Sequence, residues 1–327
     1  MALHCGIIGI TNTGKTTLFN CISDTKAETA SFAFSSSKSN IGMVKVPDMR
    51  LESLAALIKP QKLTHATVNL IDIPGLTRGA SQGEGIGNTF LADIRNADAL
   101  IHVLRCFDDP DLPHVEGSVD PVRDKETVDL ELQVRDLESL EKRMEKLEKL
   151  AKMGEKEAGQ GLKVLGQYRE HLETLRPVRT APVAEKDRHW IDDLFLLTAK
   201  PVIYVCNVDE DSAAGGNAWV KKVREAVSGE ETDVLVVAAA LEAEIAELEQ
   251  EADRREFLDD AGLKEPGVNR LIRAAYALLN QISFFTAGPK EVRAWTIRRG
   301  TKAAAAARPA TETVRLGWRW IFWPTSG

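Results

Sequence analysis

The 327-residue chain is long enough for two or three domains, and its 43% hydrophobic and 28% charged residues are ordinary for a globular protein. Its formal net charge of -7 argues against attraction of the whole protein to nucleic acid, and no sequence-specific DNA binding is expected. No apolar run approaches the roughly 20 residues of a membrane-spanning helix, and the scattered Cys5, Cys21, Cys106 and Cys206 form no CxxC pair, so a cytoplasmic protein without a membrane partner or zinc site is expected.

The start, "MALHCGIIGI", lacks a basic region and a small-residue cleavage site, and it reads as a buried strand over 3–10 rather than a signal peptide. "GITNTGKTT" follows directly and leads into the helical "TLFNCI". Gly9, Gly14, Lys15 and Thr16 match G-x-x-x-x-G-K-[ST] in the order strand, glycine loop, helix. Glycines let backbone N–H groups face phosphates, and the helix N-terminus adds a favourable dipole. Lys15 would bridge the β- and γ-phosphates, and the Thr16 hydroxyl would ligate Mg²⁺.

A second apolar strand is expected over 66–73, ending in "NLIDIPG". Asp72 there can hold the Mg²⁺ shell, and the Gly75 N–H can sense the γ-phosphate. Gly79, Gly83, Gly85 and Gly87 then make a mobile switch-like loop or an ordinary flexible one. Leu76 stands where a water-orienting Gln is common. Leucine cannot hydrogen-bond a water, so hydrolysis uses another group, or is slow, or the chain binds without hydrolysing.

A third strand is expected over 99–106, and then the character changes. From 124 to 153 charged residues alternate with an apolar stripe at Leu130, Val134, Leu137, Leu140, Met144, Leu147 and Leu150. A turn at 154–161 and a second stripe at Leu162, Leu165, Tyr168, Leu172 and Leu175 complete an antiparallel helical hairpin. It is either a solvated prop or a partner-binding arm.

Strands are expected again over 201–206 and 233–240. Nearly continuous apolar strands alternating with helices predict an α/β fold with a mainly parallel sheet covered on both faces. "NVDE" (207–210) follows the first of these strands where guanine readers place Asn-Lys-x-Asp. Glu210 takes the Asp place and Val208 the Lys place. Glutamate is one methylene longer and overshoots guanine's two donors, a lost buried pair worth about 1–3 kcal/mol. Adenine needs a donor and an acceptor, which Asn207 or nearby backbone supplies. A plain surface turn is the alternative. "AAALEAE" then leaves backbone near Ala239 and the Leu241 side chain to contact a base.

After Gly267 a helix returns to the core, and 283–301 alternates like the start of a β-rich domain. From Ala303 to the end, no helix or strand period organises the chain, and the tail reads as poorly folded or foreign.

With these residues assembled, the chain over roughly 1–302 resembles the YchF or Obg-like ATPase family of P-loop NTPases in the TRAFAC class. The resemblance rests on "GITNTGKTTLFN", "SNIGMVKVPDMRL", "LIDIPGLTRGASQGEGIGNTFL", "IRNADALIHVLRCF", "NVDE", "LEAEIAEL" and "FFTAGPKEVRAWTIRRGTKA". It implies a discontinuous G domain over 1–123 and 200–282, a coiled-coil insertion over 124–199, and a TGS-like region over 283–327. It also implies ATP as substrate in preference to GTP, Mg²⁺ as cofactor, and a ribosome as partner. The family's phosphate loop maps onto Gly9 to Thr17, including Asn12, Thr13 and Thr17. Asn12 matches an Asn of potassium-stimulated members of the wider class, which adds K⁺ as a candidate; a loop-stabilising Asn explains it equally. His114 in "DLPHVEG" stands where the family has a histidine linked to hydrolysis, or is an ordinary surface-loop histidine. Ser36 replaces the switch I threonine and keeps a hydroxyl for Mg²⁺. The family's continuation after "RRGTKA" is absent, as in a truncated or frameshifted TGS region.

Overall fold

The computed structural model describes residues 4–23, 39–75, 86–306 and 319–321. Its centre is a six-stranded sheet of β1 (His4–Ile8), β2 (Asn40–Lys45), β4 (Thr67–Asp72), β5 (Ala99–Cys106), β6 (Val202–Val208) and β7 (Val234–Val237). The order is β2-β4-β1-β5-β6-β7. β1 pairs parallel with β4 and β5, β6 lies parallel to β5 and β7, and β2 runs antiparallel along the β4 edge.

Successive side chains of these strands enter two different cores, as the two-residue strand period requires. Ile101, Val103, Ile203 and Val205 join Leu18, Phe19 and Leu271 on one face. Leu100, Leu104, Val202, Tyr204 and Cys206 join Val220, Val223 and Ile245 on the other. This two-sided burial is why the central strands are nearly continuous apolar runs, whereas edge strand β2 leaves alternate side chains exposed. The covering helices are α1 (Lys15–Ile22), α2 (Met49–Ile58), α3 (Ile86–Asn96), α4 (Pro121–Lys152), α5 (Lys156–Glu173), α6 (Ala218–Ala226), α7 (Ala239–Glu247), α8 (Glu251–Asp260) and α9 (Gly267–Leu278).

α4 and α5 form the expected hairpin, but the helix starts at Pro121, where the Asp120 side chain accepts from the N–H groups of Val122 and Arg123. The expected stripe holds only from Leu137 to Leu147. Leu140 and Leu147 pack with Leu165, Tyr168 and Leu172, whereas Leu130, Val134 and Leu150 are exposed. The inner half of α4 lies against β5 and α6 and buries a different face, with Asp124, Lys125, Val128, Asp129, Leu132, Gln133 and Asp136. A helix that passes from one core to another cannot keep one buried stripe, because the direction to the partner changes along its length.

Beyond α9, β8 (Gln281–Ala287) and β9 (Glu291–Arg298) form an antiparallel pair. Two further strands, β3 (Lys62–Thr64) and β10 (Arg319–Ile321), join it to give the order β10-β8-β9-β3. β3 pairs parallel with β9, so this sheet draws on the chain between α2 and β4. The other is a correction to the expected structureless tail: β10 pairs antiparallel with β8. β2 and β3 had no continuous apolar run to announce them, since β2 is a half-exposed edge and β3 only three residues long.

Candidate nucleotide site

The phosphate loop sits at the carboxyl end of β1, where ligands of open α/β sheets bind. Gly9 has φ 149°, and a Cβ there would lie 2.4 Å from the Val103 carbonyl oxygen. Gly14 has φ 89°, and a Cβ there would lie 2.3 Å from Asn207 Nδ2. Only glycine meets both demands. Asn12 adopts φ 62°, which asparagine tolerates better than most residues. Gly14 caps α1 without a side chain, so the first-turn N–H groups at Lys15, Thr16 and Thr17 face outward as an anion cradle. Thr13 is 1% exposed and turns its hydroxyl to the Ile10 carbonyl.

Lys15 is buried, and its Nζ donates to the Ile10 carbonyl. Burial lowers its pKa to about 8, against the pull of Asp72. The Thr16 hydroxyl donates to Asp72 Oδ2 at 2.9 Å. Among the described residues, Asp72 Oδ1 is buried without a hydrogen-bond partner. Burial raises the Asp72 pKa, while the Thr16 hydroxyl, Lys15 and the neighbouring Asn40 side chain hold it back. A hydroxyl and a carboxylate brought together, with one oxygen left over, is a donor set suited to a hard cation such as Mg²⁺. Gly75 packs against Thr11, whose Cα would be 2.9 Å from an added Cβ. Ser36, Leu76 and the glycines at 79, 83 and 85 lie outside the described residues, and Gly87 falls within α3.

At the base edge the residues separate. Asn207 is 5% exposed; its Nδ2 donates to the Thr13 carbonyl at 3.0 Å, and its Oδ1 accepts from Ala239 N–H at 2.9 Å. Its amide ties the phosphate loop to the start of α7 and is engaged at both ends. Val208 and Leu241 differ from expectation, since both side chains are buried in the core under the sheet with Ala213, Val220 and Ile245. β6 extends through Val208, and strand alternation points that side chain away from Asn207. α7 begins at Ala239, inside the expected strand 233–240, and this turns Leu241 inward. Glu210 is exposed in a short 3-10 turn just past β6.

His114 lies beyond β5 with its side chain 4% exposed. Its Nε2 is 2.9 Å from Asp124 Oδ2, and its Nδ1 accepts from Glu116 N–H at 3.1 Å. Asn12 reaches the same loop, donating Nδ2 to the Pro113 carbonyl at 3.0 Å. Sequence reasoning missed Arg105 and Asp124 here. The one signal for Arg105 is an arginine closing the apolar run "ALIHVL"; Asp124 looks like any other charge on a solvated helix.

Residues 4–158 match the 50S ribosome-binding GTPase family. Residues 281–310 match the YchF GTPase C-terminal family, described as a protein of unknown function. Curated relatives include the ribosome-binding ATPase YchF of Bacillus subtilis (strain 168), 45% identical over 309 residues that cover 94% of this chain and 84% of the relative. The protein of that name from Escherichia coli O157:H7 is 44% identical over 307 residues, with the same coverage. Among solved structures, the Schizosaccharomyces pombe YchF GTPase is similar with a TM-score of 0.80 at 34% identity, covering 95% of this chain and 84% of that one. Among the described residues no helix is long and apolar enough to cross a membrane.

Proposed function

The chain belongs to the YchF family of P-loop NTPases, and from that premise we propose that it is a slow, Mg²⁺-dependent nucleotide switch that prefers ATP to GTP and works at the ribosome. The observation that carries the reading is the Thr16–Asp72 pair with its unpartnered Oδ1, set beside Lys15 on a strand–loop–helix phosphate cradle. The names of the relatives support ATP and the ribosome.

In this reading the α1 N–H groups and Lys15 hold the β- and γ-phosphates, and Thr16 and Asp72 would hold the metal, with Ser36 as a further hydroxyl ligand. Bound Mg²⁺ supplies charge neutralisation at the phosphate oxygens. Water adds to the γ-phosphorus as the bond to the bridging oxygen of ADP breaks. The Gly75 N–H senses the γ-phosphate and His114 orients the water, because Leu76 cannot. The Asn12 carbonyl is the end of that amide left to face a K⁺ ion, since its nitrogen is spent on Pro113. Glu210 and the backbone beside Ala239 meet the adenine edge, with Asn207 holding that backbone in place. The divided G domain, the arm over 124–199 and the β-rich region from 283 are the units in which this switch would move.

Calorimetric titration with ATP and GTP, each with Mg²⁺ and with K⁺ or Na⁺, tests the reading. Tighter ATP binding that Lys15→Ala abolishes is the expected result, and a clear GTP preference overturns the base assignment. A second reading, a binder that does not hydrolyse, is favoured by the engagement of both His114 ring nitrogens. Metal-dependent single turnover excludes it.

A further inference from the structure

The chain between β5 and α4 is held at each step past the phosphate loop. Arg105, at the end of β5, is 1% exposed. Its guanidinium donates from Nε to the Phe107 carbonyl at 3.2 Å, from Nη1 to the Leu112 carbonyl at 2.8 Å, and from Nη2 to the Asp109 carbonyl at 3.3 Å. Asn12 then takes the Pro113 carbonyl from the phosphate-loop side. His114 comes next. An Nδ1 that accepts from Glu116 N–H carries no proton, so Nε2–H is the donor to Asp124. With both nitrogens spent and the side chain 4% exposed, the ring has nothing to offer a water.

The residue that holds the ring belongs to a different element. Asp124 is 1% exposed in the first turn of α4, and its Oδ1 takes Arg123 Nε at 3.2 Å and Nη2 at 3.0 Å. Resting on the hydrolase reading above, we propose that Asp124 is a positioning residue that keeps His114 withdrawn from the nucleotide, and that hydrolysis rises when the base of α4 shifts and this contact opens. The loop is anchored to the sheet by Arg105 and to the phosphate loop by Asn12. Asp124 rides on a 32-residue helix whose far half packs on α5. A displacement of the arm therefore reaches the ring through its charge-assisted hydrogen bond to Asp124, and Arg123 of the same turn also holds the Ser118 hydroxyl and carbonyl of this loop. Opening that contact frees Nε2–H to donate to a water oxygen, while Nδ1 stays with Glu116 N–H and keeps the ring oriented. A partner that grips the arm is thereby coupled to the phosphate site.

Single-turnover ATP hydrolysis with Mg²⁺, read beside calorimetric ATP affinity, tests this on the full chain. The proteins are wild type, Asp124→Asn, Asp124→Ala, His114→Ala and each Asp124 variant combined with His114→Ala. Asp124→Asn is near-isosteric and covers the case in which the alanine variant does not fold. We expect both Asp124 variants to hydrolyse about tenfold faster, part of the roughly hundredfold or more that a placed acid–base group contributes. Affinity should stay within about twofold, and the gain should vanish when His114 is also alanine. An unchanged or slower rate at retained affinity overturns the proposal, as does a gain that survives the loss of His114. No turnover in any protein overturns the hydrolase reading and the proposal with it; measurable turnover that ignores Asp124 overturns the proposal alone.

Discussion

Asn207 braces the nucleotide site from below, with one amide group holding the Thr13 carbonyl and the Ala239 N–H across three segments of chain. Asn207→Ala strands both of those buried groups, at about 1–3 kcal/mol each. Because the brace acts on the phosphate loop, the variant should lose ATP and GTP affinity by similar factors in calorimetry. A loss confined to ATP would return Asn207 to base reading. Lys15 makes a second prediction at this scale. In the free protein its pKa is lowered to about 8. Bound phosphates favour the ammonium form, so the pKa in the complex is higher. Between the two values binding takes up a proton, and affinity falls as pH rises above about 8, by up to about tenfold per unit. Titrations near pH 9 in two buffers of different ionisation enthalpy will show that uptake, and equal apparent enthalpies in the two would refute it.

At the scale of elements, α4 serves two cores. Its outer half makes the hairpin core with α5 through Leu140 and Leu147. Its inner half is tied by buried polar groups to the chain that leads into β6. Asp136 accepts from the N–H groups of Leu197 and Thr198 and from the Thr198 hydroxyl, at 2.6 to 2.7 Å. Burial still raises its pKa to about 6, those donors limiting the rise. Asp136→Ala leaves two buried N–H groups unpaired and should cost about 3 kcal/mol or more in urea unfolding. Asp136→Asn should cost less, since an amide oxygen still accepts. Equal losses for the two would mean that shape, not hydrogen bonding, secures α4 against the chain before β6.

Across the whole molecule, Glu230 joins parts that are distant in sequence. Its carboxylate meets Lys125 of α4 at 3.2 Å, Arg179 after α5 at 2.6 Å, and the Tyr204 hydroxyl of β6 at 3.2 Å. Both cations and the carboxylate are largely buried, with side chains 10–14% exposed. Glu230→Ala leaves the guanidinium without its carboxylate and should destabilise by about 3–5 kcal/mol. Glu230→Gln keeps one acceptor oxygen, for either Arg179 or Lys125, and should fall between it and wild type. A loss below about 1 kcal/mol in the alanine variant would show that water replaces the carboxylate. The same three-way contact sets how the arm lies on the sheet, and so bears on the Asp124–His114 contact at its base.

The sequence by itself determined the parts whose physics is local. A glycine loop between an apolar strand and a helix is a local pattern, so the turn through Gly9 and Gly14 and the helix beginning at Lys15 and Thr16 were legible in order. Two-sided burial makes parallel strands largely apolar, so β1, β4, β5 and β6 were legible too. Edge strand β2, three-residue β3 and the β10 pairing left no such mark, because partners distant in the chain create them. The inward turn of Val208 and Leu241, the double engagement of Asn207, and the grip of Asp124 on His114 were likewise decided in three dimensions. A polar side chain's role depends on which donors and acceptors the fold brings within about 3 Å of it, and no spacing along the chain encodes that.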